Sequence, residues 1–219
     1  MKRGFGTNFH SIYKSSPELY HLFSSAEIFS PDLLNRLRQL FTGNVMLDVA
    51  CGTCHKTNMF SKYFKKVYGL DASSLLLDYG RLRYGKNEKL NFILSSAANI
   101  PLLDKSVDTI FISWGSFPLA KTLREMKRVL SPKGVILRIG ASGRDDFTRL
   151  FPNFDMKRIK RIQKQFERSG FLKEEYDVDI KFDNIDIAKN VLASILHIDQ
   201  NFINSETLRH RIALHSYIQ

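Results

Sequence analysis

The chain has 219 residues, 43% of them hydrophobic and 12% aromatic, which suffices for one well-filled core and is short for two ordinary domains. Its 33 Lys and Arg against 22 Asp and Glu leave a formal charge of +11, a balance that favours anionic partners and says nothing of fold. No run reaches the ~18 uninterrupted apolar residues of a membrane span, and the basic start MKRGFGTNFHSIYKSSPELY has no apolar stretch behind it, so a soluble, cytoplasmic protein is expected.

Taken in chain order, the first 30 residues carry Phe5, Phe9, Tyr13, Tyr20, His21, Leu22 and Phe23 before any strand signal. They read as part of a helical cap, residues 1–42, folding over the mouth of a sheet; an arm with its aromatics packed on the outside of the core is the alternative. Ser30-Pro31-Asp32 supplies a cap, a proline at the first helical position and an acid in the first turn, and Leu33, Leu34, Leu37, Leu40 and Phe41 then share a face. From residue 43 strand and helix signals alternate, the pattern of an α/β sheet with parallel neighbours.

The strand candidates are VMLDV (45–49), KVYGL (66–70), NFIL (91–94), DTIFIS (108–113), GVILRI (134–139), YDVDIKF (176–182) and RIALHSY (211–217). The first five are short apolar runs, as expected of strands covered on both faces; the sixth alternates and belongs towards an edge. Leu119, Leu123, Met126 and Val129 repeat at helical spacing before Ser131-Pro132-Lys133-Gly134 turns the chain. Ile159, Ile162 and Phe166 do the same, with Gly170 where a C-terminal cap belongs.

Between the first strand and the next helix lies Cys51-Gly52-Thr53-Cys54-His55, which spells C-x-x-C-H and is open to four readings. Haem attachment is normally linked to export, and a disulfide framework needs an oxidising compartment and more than two Cys, so both fit the chain poorly. Zinc would require a second ligand pair, and His10, His21, His197, His210 and His215 offer none nearby in sequence, so no metal is expected. A redox role would follow if a thiol at the helix start had its pKa lowered. A ligand-binding turn is the reading the surroundings favour, because a strand-turn-helix placed first in such a chain binds nucleotide-like ligands. Asp71, 19 residues beyond Gly52 and at the tip of the second strand, is placed to accept from ribose hydroxyls.

With LDVACGTC, GLDAS, SSAANIPLLDKSVDTIFIS and REMKRVLSPKGVIL in this order over residues 45–139, the sequence resembles the class I S-adenosylmethionine-dependent methyltransferases, and more closely their quinone-biosynthesis and small-molecule subgroup. The resemblance implies a single Rossmann-like domain over residues 1–219, its core from 43 to 219, with a seven-stranded, mostly parallel sheet in the order 3-2-1-4-5-7-6 and helices on both faces. It implies S-adenosylmethionine as cofactor and S-adenosylhomocysteine as product. Asp48 would support the loop and the amino-acid end of the cofactor, Ala50, Cys51 and Gly52 would form the turn around it, and Asp71 would hold the ribose. Ala72 and Ser73 would lie beside the adenosine, Ser96, Ala97 and Ala98 along the adenine, and Ser113 with Trp114 below the sulfonium. The family usually has glycine where this chain has Ala50 and Cys54, and an acid where it has Ser96; Ala50 can occupy the first place if its φ stays negative, at the cost of a slightly wider turn.

Methyl transfer from a sulfonium expels a neutral leaving group, so alignment and water exclusion carry most of the catalysis. Many relatives place a His within the segment that here reads Trp114-Gly115-Ser116-Phe117-Pro118, so His10, Tyr13, Tyr20, His21 and Trp114 remain the candidates for lining an acceptor pocket, with plain packing as the alternative. Ser116-Phe117-Pro118-Leu119 does not fit methylation of exocyclic base nitrogens, no Cys follows the fourth strand for C5 of a pyrimidine, and Glu125 stands without the paired Glu of arginine methylation. A small-molecule acceptor is expected. RNA is the alternative, through Lys157, Arg158, Lys160, Arg161, Lys164 and Arg168 on one helix and Arg81, Arg83, Lys86 and Lys89 on another segment. No aromatics interleave with these charges, which suits two solvated faces. A cofactor-binding protein with little catalysis is the third reading.

Overall fold

A computed structural model describes residues 14–115, 117–151 and 154–219. In chain order they form α1 (Pro17–Ala26), β1 (Glu27–Ile28), α2 (Pro31–Leu40), β2 (Val45–Val49), α3 (His55–Phe60), β3 (Lys66–Asp71), α4 (Ser74–Tyr84), β4 (Leu90–Leu94), β5 (Val107–Ser113), α5 (Leu119–Val129), β6 (Leu130–Ala141), α6 (Asp146–Arg149), α7 (Met156–Arg168), β7 (Leu172–Lys181), α8 (Ile185–Leu196) and β8 (Thr207–Ile218). Each of the seven expected strands is present, and the pairings run β4-β3-β2-β5-β6-β8-β7-β1. This is the expected order with one strand added: the two-residue β1 pairs antiparallel with β7, Glu27 opposite Ile180, and takes the edge that β7 would otherwise form. Among the described residues no helix is long and apolar enough to cross a membrane.

The chain divides into two compact units. The first, Leu37–Ile139 with Leu214–Gln219, holds the parallel strands. Met46, Leu47 and Val49 of β2 and Ile110, Phe111 and Ile112 of β5 are buried, as strands covered on both faces must be. At roughly 1.5–3 kcal/mol for each fully buried large side chain, these strands contribute much of the unit's stability. Phe60 of α3 meets the Phe111 ring edge-on at 5.1 Å and the Phe41 ring at 5.2 Å, fixing the helix that follows β2 against the sheet.

The entry into β2 is fastened by Asp108, whose Oδ2 accepts from the backbone N–H of Asn44 at 2.8 Å and of Val45 at 3.0 Å. Gly43, at φ 64°, passes so close that a Cβ there would lie inside the Asp108 carboxylate. The Ser131–Gly134 turn is absorbed into β6 as an irregularity: Val107 faces Leu130 and Thr109 already faces Val135, with Lys133 at φ 65° in between.

The second unit, Met1–Arg36 with Gly140–Ala213, is built around α8, whose Ala188, Val191, Leu192, Ile195 and Leu196 are buried with Phe147, Ile180, Phe182 and Leu208. Asp145 caps α6 by accepting from Thr148 N–H at 2.8 Å and also holds His210 Nδ1 and Arg211 N–H, each at 2.8 Å. Asp155 caps α7, and Gly170 at φ 90° ends it, with Phe166 and Phe171 in edge contact across the cap at 5.1 Å.

Candidate functional site

The C-terminal ends of β2, β3 and β4 are tied together by backbone hydrogen bonds. Cys51 N–H donates to Leu70 C=O at 3.1 Å, and Ser95 N–H donates to Asp71 C=O at 3.0 Å. Between β2 and α3 the chain turns on three left-handed residues, Ala50 (φ 60°), Gly52 (φ 58°) and Cys54 (φ 59°). The condition of a negative φ at Ala50 is therefore not met: the turn imposes the left-handed geometry, and the alanine and the cysteine adopt it at about 1–2 kcal/mol each. Cys54 closes the turn by donating its N–H to Cys51 C=O at 3.0 Å and opens α3 by accepting Asn58 N–H at 2.9 Å. Its thiol is buried over Gly69, where any Cβ would collide with the sulfur.

Asp71 is engaged with this turn. Its Oδ2 accepts Gly52 N–H at 2.8 Å and its Oδ1 accepts Ser73 N–H at 2.9 Å. Burial pushes the Asp71 pKa up, and the backbone N–H groups of Ser73, Gly52 and Ala72 pull against that. Ser73 in turn caps α4, its Oγ accepting Leu76 N–H at 3.3 Å.

Asp48 is buried at the end of β2. Thr57 of α3 donates its hydroxyl to Asp48 Oδ2 at 2.6 Å, whereas Oδ1, equally buried, has no hydrogen-bond partner. Burial raises the carboxyl to about 7 against the lowering effects of the Thr57 hydrogen bond and the Lys56 charge. Ser113 Oγ, at the end of the neighbouring parallel strand β5, is a second buried polar atom without a partner. Trp114 follows it at φ 62°, donating its N–H to Ile139 C=O at 3.1 Å.

Beyond β4, Ser96 is exposed, and its Oγ accepts Ala98 N–H at 3.2 Å; Ala97 and Ala98 are half-buried. The following segment is braced by two residues of α5 that the sequence did not single out together. Arg128 donates to the carbonyls of Ile100 at 2.7 Å and Leu102 at 2.9 Å and to Asp104 at 2.7 Å. Glu125 takes Arg128 through both carboxylate oxygens at 2.8 Å and Ile100 N–H at 3.0 Å. The Arg128 hydrogen bonds hold the Glu125 carboxyl at about 2.

Asp48, Ala50, Cys51, Gly52, Asp71, Ala72, Ser73, Ser96, Ala97, Ala98, Ser113 and Trp114 thus all lie at the strand ends of the first unit or in the turns that leave them. Thr57 and Lys56 were missed, although a hydroxyl one helical turn into α3 is a natural partner for a buried acid at the end of β2. Tyr20 packs against the apolar cluster of the second unit, and His21 is buried in α1. His10 and Tyr13 lie outside the described residues. The lowered thiol pKa considered for the C-x-x-C-H is overturned for Cys51: burial, the Cys54 hydrogen bond and the charges of Asp48 and Asp71 all push it up. Among the described residues no group of three or more His, Cys, Asp or Glu could hold a metal.

Residues 47–137 match a family model described as a methyltransferase domain. The malonyl-[acyl-carrier protein] O-methyltransferase of Yersinia pestis is 37% identical over 131 residues, which are 58% of this chain and 48% of that protein. The demethylmenaquinone methyltransferase of Staphylococcus epidermidis is 28% identical over 144 residues, 61% of this chain and 60% of that one. The chain thus spans about half to three-fifths of the length of these relatives. In fold it is similar to a SAM-dependent methyltransferase from Aquifex aeolicus, with a TM-score of 0.59 and 22% identity over 92% of this chain and 99% of that one. A precorrin-6y C5,15-methyltransferase from Geobacter metallireducens aligns with a TM-score of 0.56 and 14% identity, over 88% of this chain and 90% of that one. With the strand order, the turn after β2 and the acid at the end of β3 all in place, the segment from residue 47 to residue 137 is similar to a methyltransferase domain.

Proposed function

We propose that the protein is an S-adenosylmethionine-dependent methyltransferase of the cytoplasm whose acceptor is a small molecule. The observation that carries this reading is Asp48 Oδ1, a buried carboxylate oxygen without a partner at the strand end where the turn of Cys51 and Gly52 begins. Leaving such an atom unsatisfied costs about 1–3 kcal/mol, and a ligand that brings a cation removes that cost. The residues fit the cofactor: Asp48 faces an ammonium need, Asp71 offers ribose hydroxyls a carboxylate already oriented by two backbone donors, and Ser113 holds a spare hydroxyl at the next strand end. Ala72, Ser73, Ser96, Ala97 and Ala98 would border the adenosine, with Trp114 beside Ser113. The cofactor, when bound, supplies an electrophilic methyl on a sulfonium that leaves as a neutral thioether.

The protein's own share is then placement and exclusion of water. The buried strand ends provide a low-dielectric floor, and the Glu125–Arg128 brace keeps the segment after the adenine turn in one conformation. The Yersinia and Staphylococcus relatives are named for a carrier-bound malonyl group and a quinone, so an acceptor outside the nucleic acids is in keeping with both. Calorimetric titration with S-adenosylhomocysteine tests the reading. Micromolar binding that Asp71→Ala abolishes supports it, whereas no binding by the reduced wild type removes it.

One observation favours RNA as a second reading. Lys157, Lys160, Arg161, Lys164 and Arg168 of α7 are exposed, and none forms an ion pair among the described residues. Spacings of three and four place Lys157, Arg161, Lys164 and Arg168 along one stripe, where like charges repel unless an anion lies over them. The second basic segment is partly neutralised, since Arg81 pairs with Asp78 at 2.6 Å. Binding of a structured RNA that weakens steeply with salt, and that charge reversal at Arg161 and Lys164 removes, would establish this alternative.

A further inference from the structure

We propose that Cys51 and Cys54 form an oxidative modification site: a hydroperoxide joins the two thiols in a disulfide that distorts the turn after β2 and weakens cofactor binding there, this last effect resting on the function proposed above. The two sulfurs already lie 3.3 Å apart, sharing one S–H between them. The hydrogen bond from Cys54 N–H to Cys51 C=O makes the intervening residues a single turn. Such a turn keeps its ends within about 7 Å, the reach of a disulfide. Both sulfurs sit over Gly69, whose missing side chain leaves them the space they occupy. The chain contains no other cysteine, so an intramolecular oxidation has one product.

The exposures order the steps. Cys51 is half-buried and Cys54 fully buried, so the peroxide meets Cys51 first. With hydrogen peroxide, the Cys51 sulfur attacks the O–O bond and becomes a sulfenic acid, releasing one water with the thiol proton. The Cys54 sulfur then displaces hydroxide from that sulfenic acid, giving the disulfide and a second water. Two thiols together lose two electrons and two protons, and one hydroperoxide takes them up. Burial raises the Cys51 thiol, which slows the first step relative to an exposed cysteine. The second step is favoured by the neighbouring sulfur, which intercepts the sulfenic acid before further oxidation.

Bond formation draws the sulfurs together to about 2.05 Å. Ala50, Gly52 and Cys54, all at positive φ, have little slack to absorb that contraction. Gly52, whose N–H is held by Asp71, lies between the two cysteines and moves with them.

The test uses the full chain, reduced with dithiothreitol, freed of reductant and exposed to hydrogen peroxide. Mass spectrometry is expected to show a loss of two hydrogens within the peptide that spans both cysteines, protection of both thiols from alkylation, and full recovery on reduction. Hydrogen exchange at the Gly52 amide should quicken on oxidation, and affinity for S-adenosylhomocysteine should fall at least tenfold and return with reductant. Thiols that stay open to alkylation, or a Cys51 that proceeds to sulfinic acid, would overturn the site; an oxidised chain with unchanged Gly52 exchange would overturn its effect. In Cys54→Ser only oxygen adducts should appear, and linkage mapping on the wild type serves should that variant not fold. If the reduced chain binds no S-adenosylhomocysteine, the proposed function fails by itself, because mass and exchange read the disulfide without any ligand.

Discussion

Thr57 donates its hydroxyl to one oxygen of Asp48 at 2.6 Å and leaves the other oxygen buried and unpartnered. The two oxygens of one carboxylate are thus assigned to different tasks, one to position the group and the other free to receive a ligand. Burial lifts this acid from 3.8 to about 7. Between those values the folded chain holds a proton that the unfolded chain has released. The stability tied to that proton is complete below about pH 4 and is lost as pH rises through 7. Under the proposed function ligand binding has the opposite slope, because the cofactor's ammonium would pair with the ionised form. Affinity for S-adenosylhomocysteine should climb by up to about tenfold per pH unit below 7 and level off above it. Calorimetry from pH 5.5 to 8.5 checks this, with Asp48→Asn expected to bind weakly at every pH and to show no slope.

Ala50 gives a second prediction. It occupies a left-handed conformation at φ 60°, which glycine adopts without steric cost. Ala50→Gly relieves about 1–2 kcal/mol of strain and adds some flexibility to the unfolded chain, so a net gain of about 0.5–1 kcal/mol is expected. Thermal unfolding should register a rise of a few degrees or less, roughly 2–4 °C per kcal/mol for a chain of this size. A lowered midpoint would show that the turn relaxes its φ in solution.

At Gly43 the reverse substitution should be severe. The residue sits at φ 64° against the Asp108 carboxylate that holds Asn44 and Val45. Gly43→Ala must push Asp108 away from both donors, and the loss of two hydrogen bonds to a charged group adds to the backbone strain. A destabilisation of roughly 3 kcal/mol or more is expected from urea unfolding.

The Glu125–Arg128 brace predicts an acid response. Glu125 is held near 2, below its unfolded value of 4.5, so its contribution to stability is present above about pH 4.5 and is lost as pH falls through 2. Asp145 is also lowered, by His210 and by the N–H groups of Arg211 and Thr148 against its burial, and adds to the same slope. Urea midpoints at pH 5 and pH 3 should therefore converge in Glu125→Gln relative to the wild type. Replacing Arg128 by Lys should cost about 1–3 kcal/mol at neutral pH, since one ammonium cannot reach two carbonyls and two carboxylates together.

Most of the sheet was legible because its strands announce themselves as short apolar runs. Val45–Val49 matches its expected bounds, and the run beginning at Lys66 is longer by Asp71 alone. β1 was not legible: two residues bonded to Ile180 and Asp179 leave no periodicity to read. β6 starts earlier than expected because its first residues pair across an irregularity, which sequence signals report only as a turn. In the candidate site, spacing singled out Gly52 and Asp71, which the fold joins by a hydrogen bond, whereas the brace was hidden because Ile100 and Glu125 are 25 residues apart and nothing in either segment names the other. The sign of φ at Ala50 was not legible for a related reason. A residue type suggests what a backbone prefers, and the closure of a turn on its neighbours decides what it adopts.

The alternation of left-handed residues after β2 has a thermodynamic side. In a turn of glycines much of the conformational freedom survives folding and is surrendered only when a ligand arrives. With alanine and cysteine in two of the three places, the chain surrenders that freedom as it folds and the free turn is already stiff. Binding should then be accompanied by little ordering: a small entropic penalty, and amide exchange in residues 50–54 nearly as slow without ligand as with it.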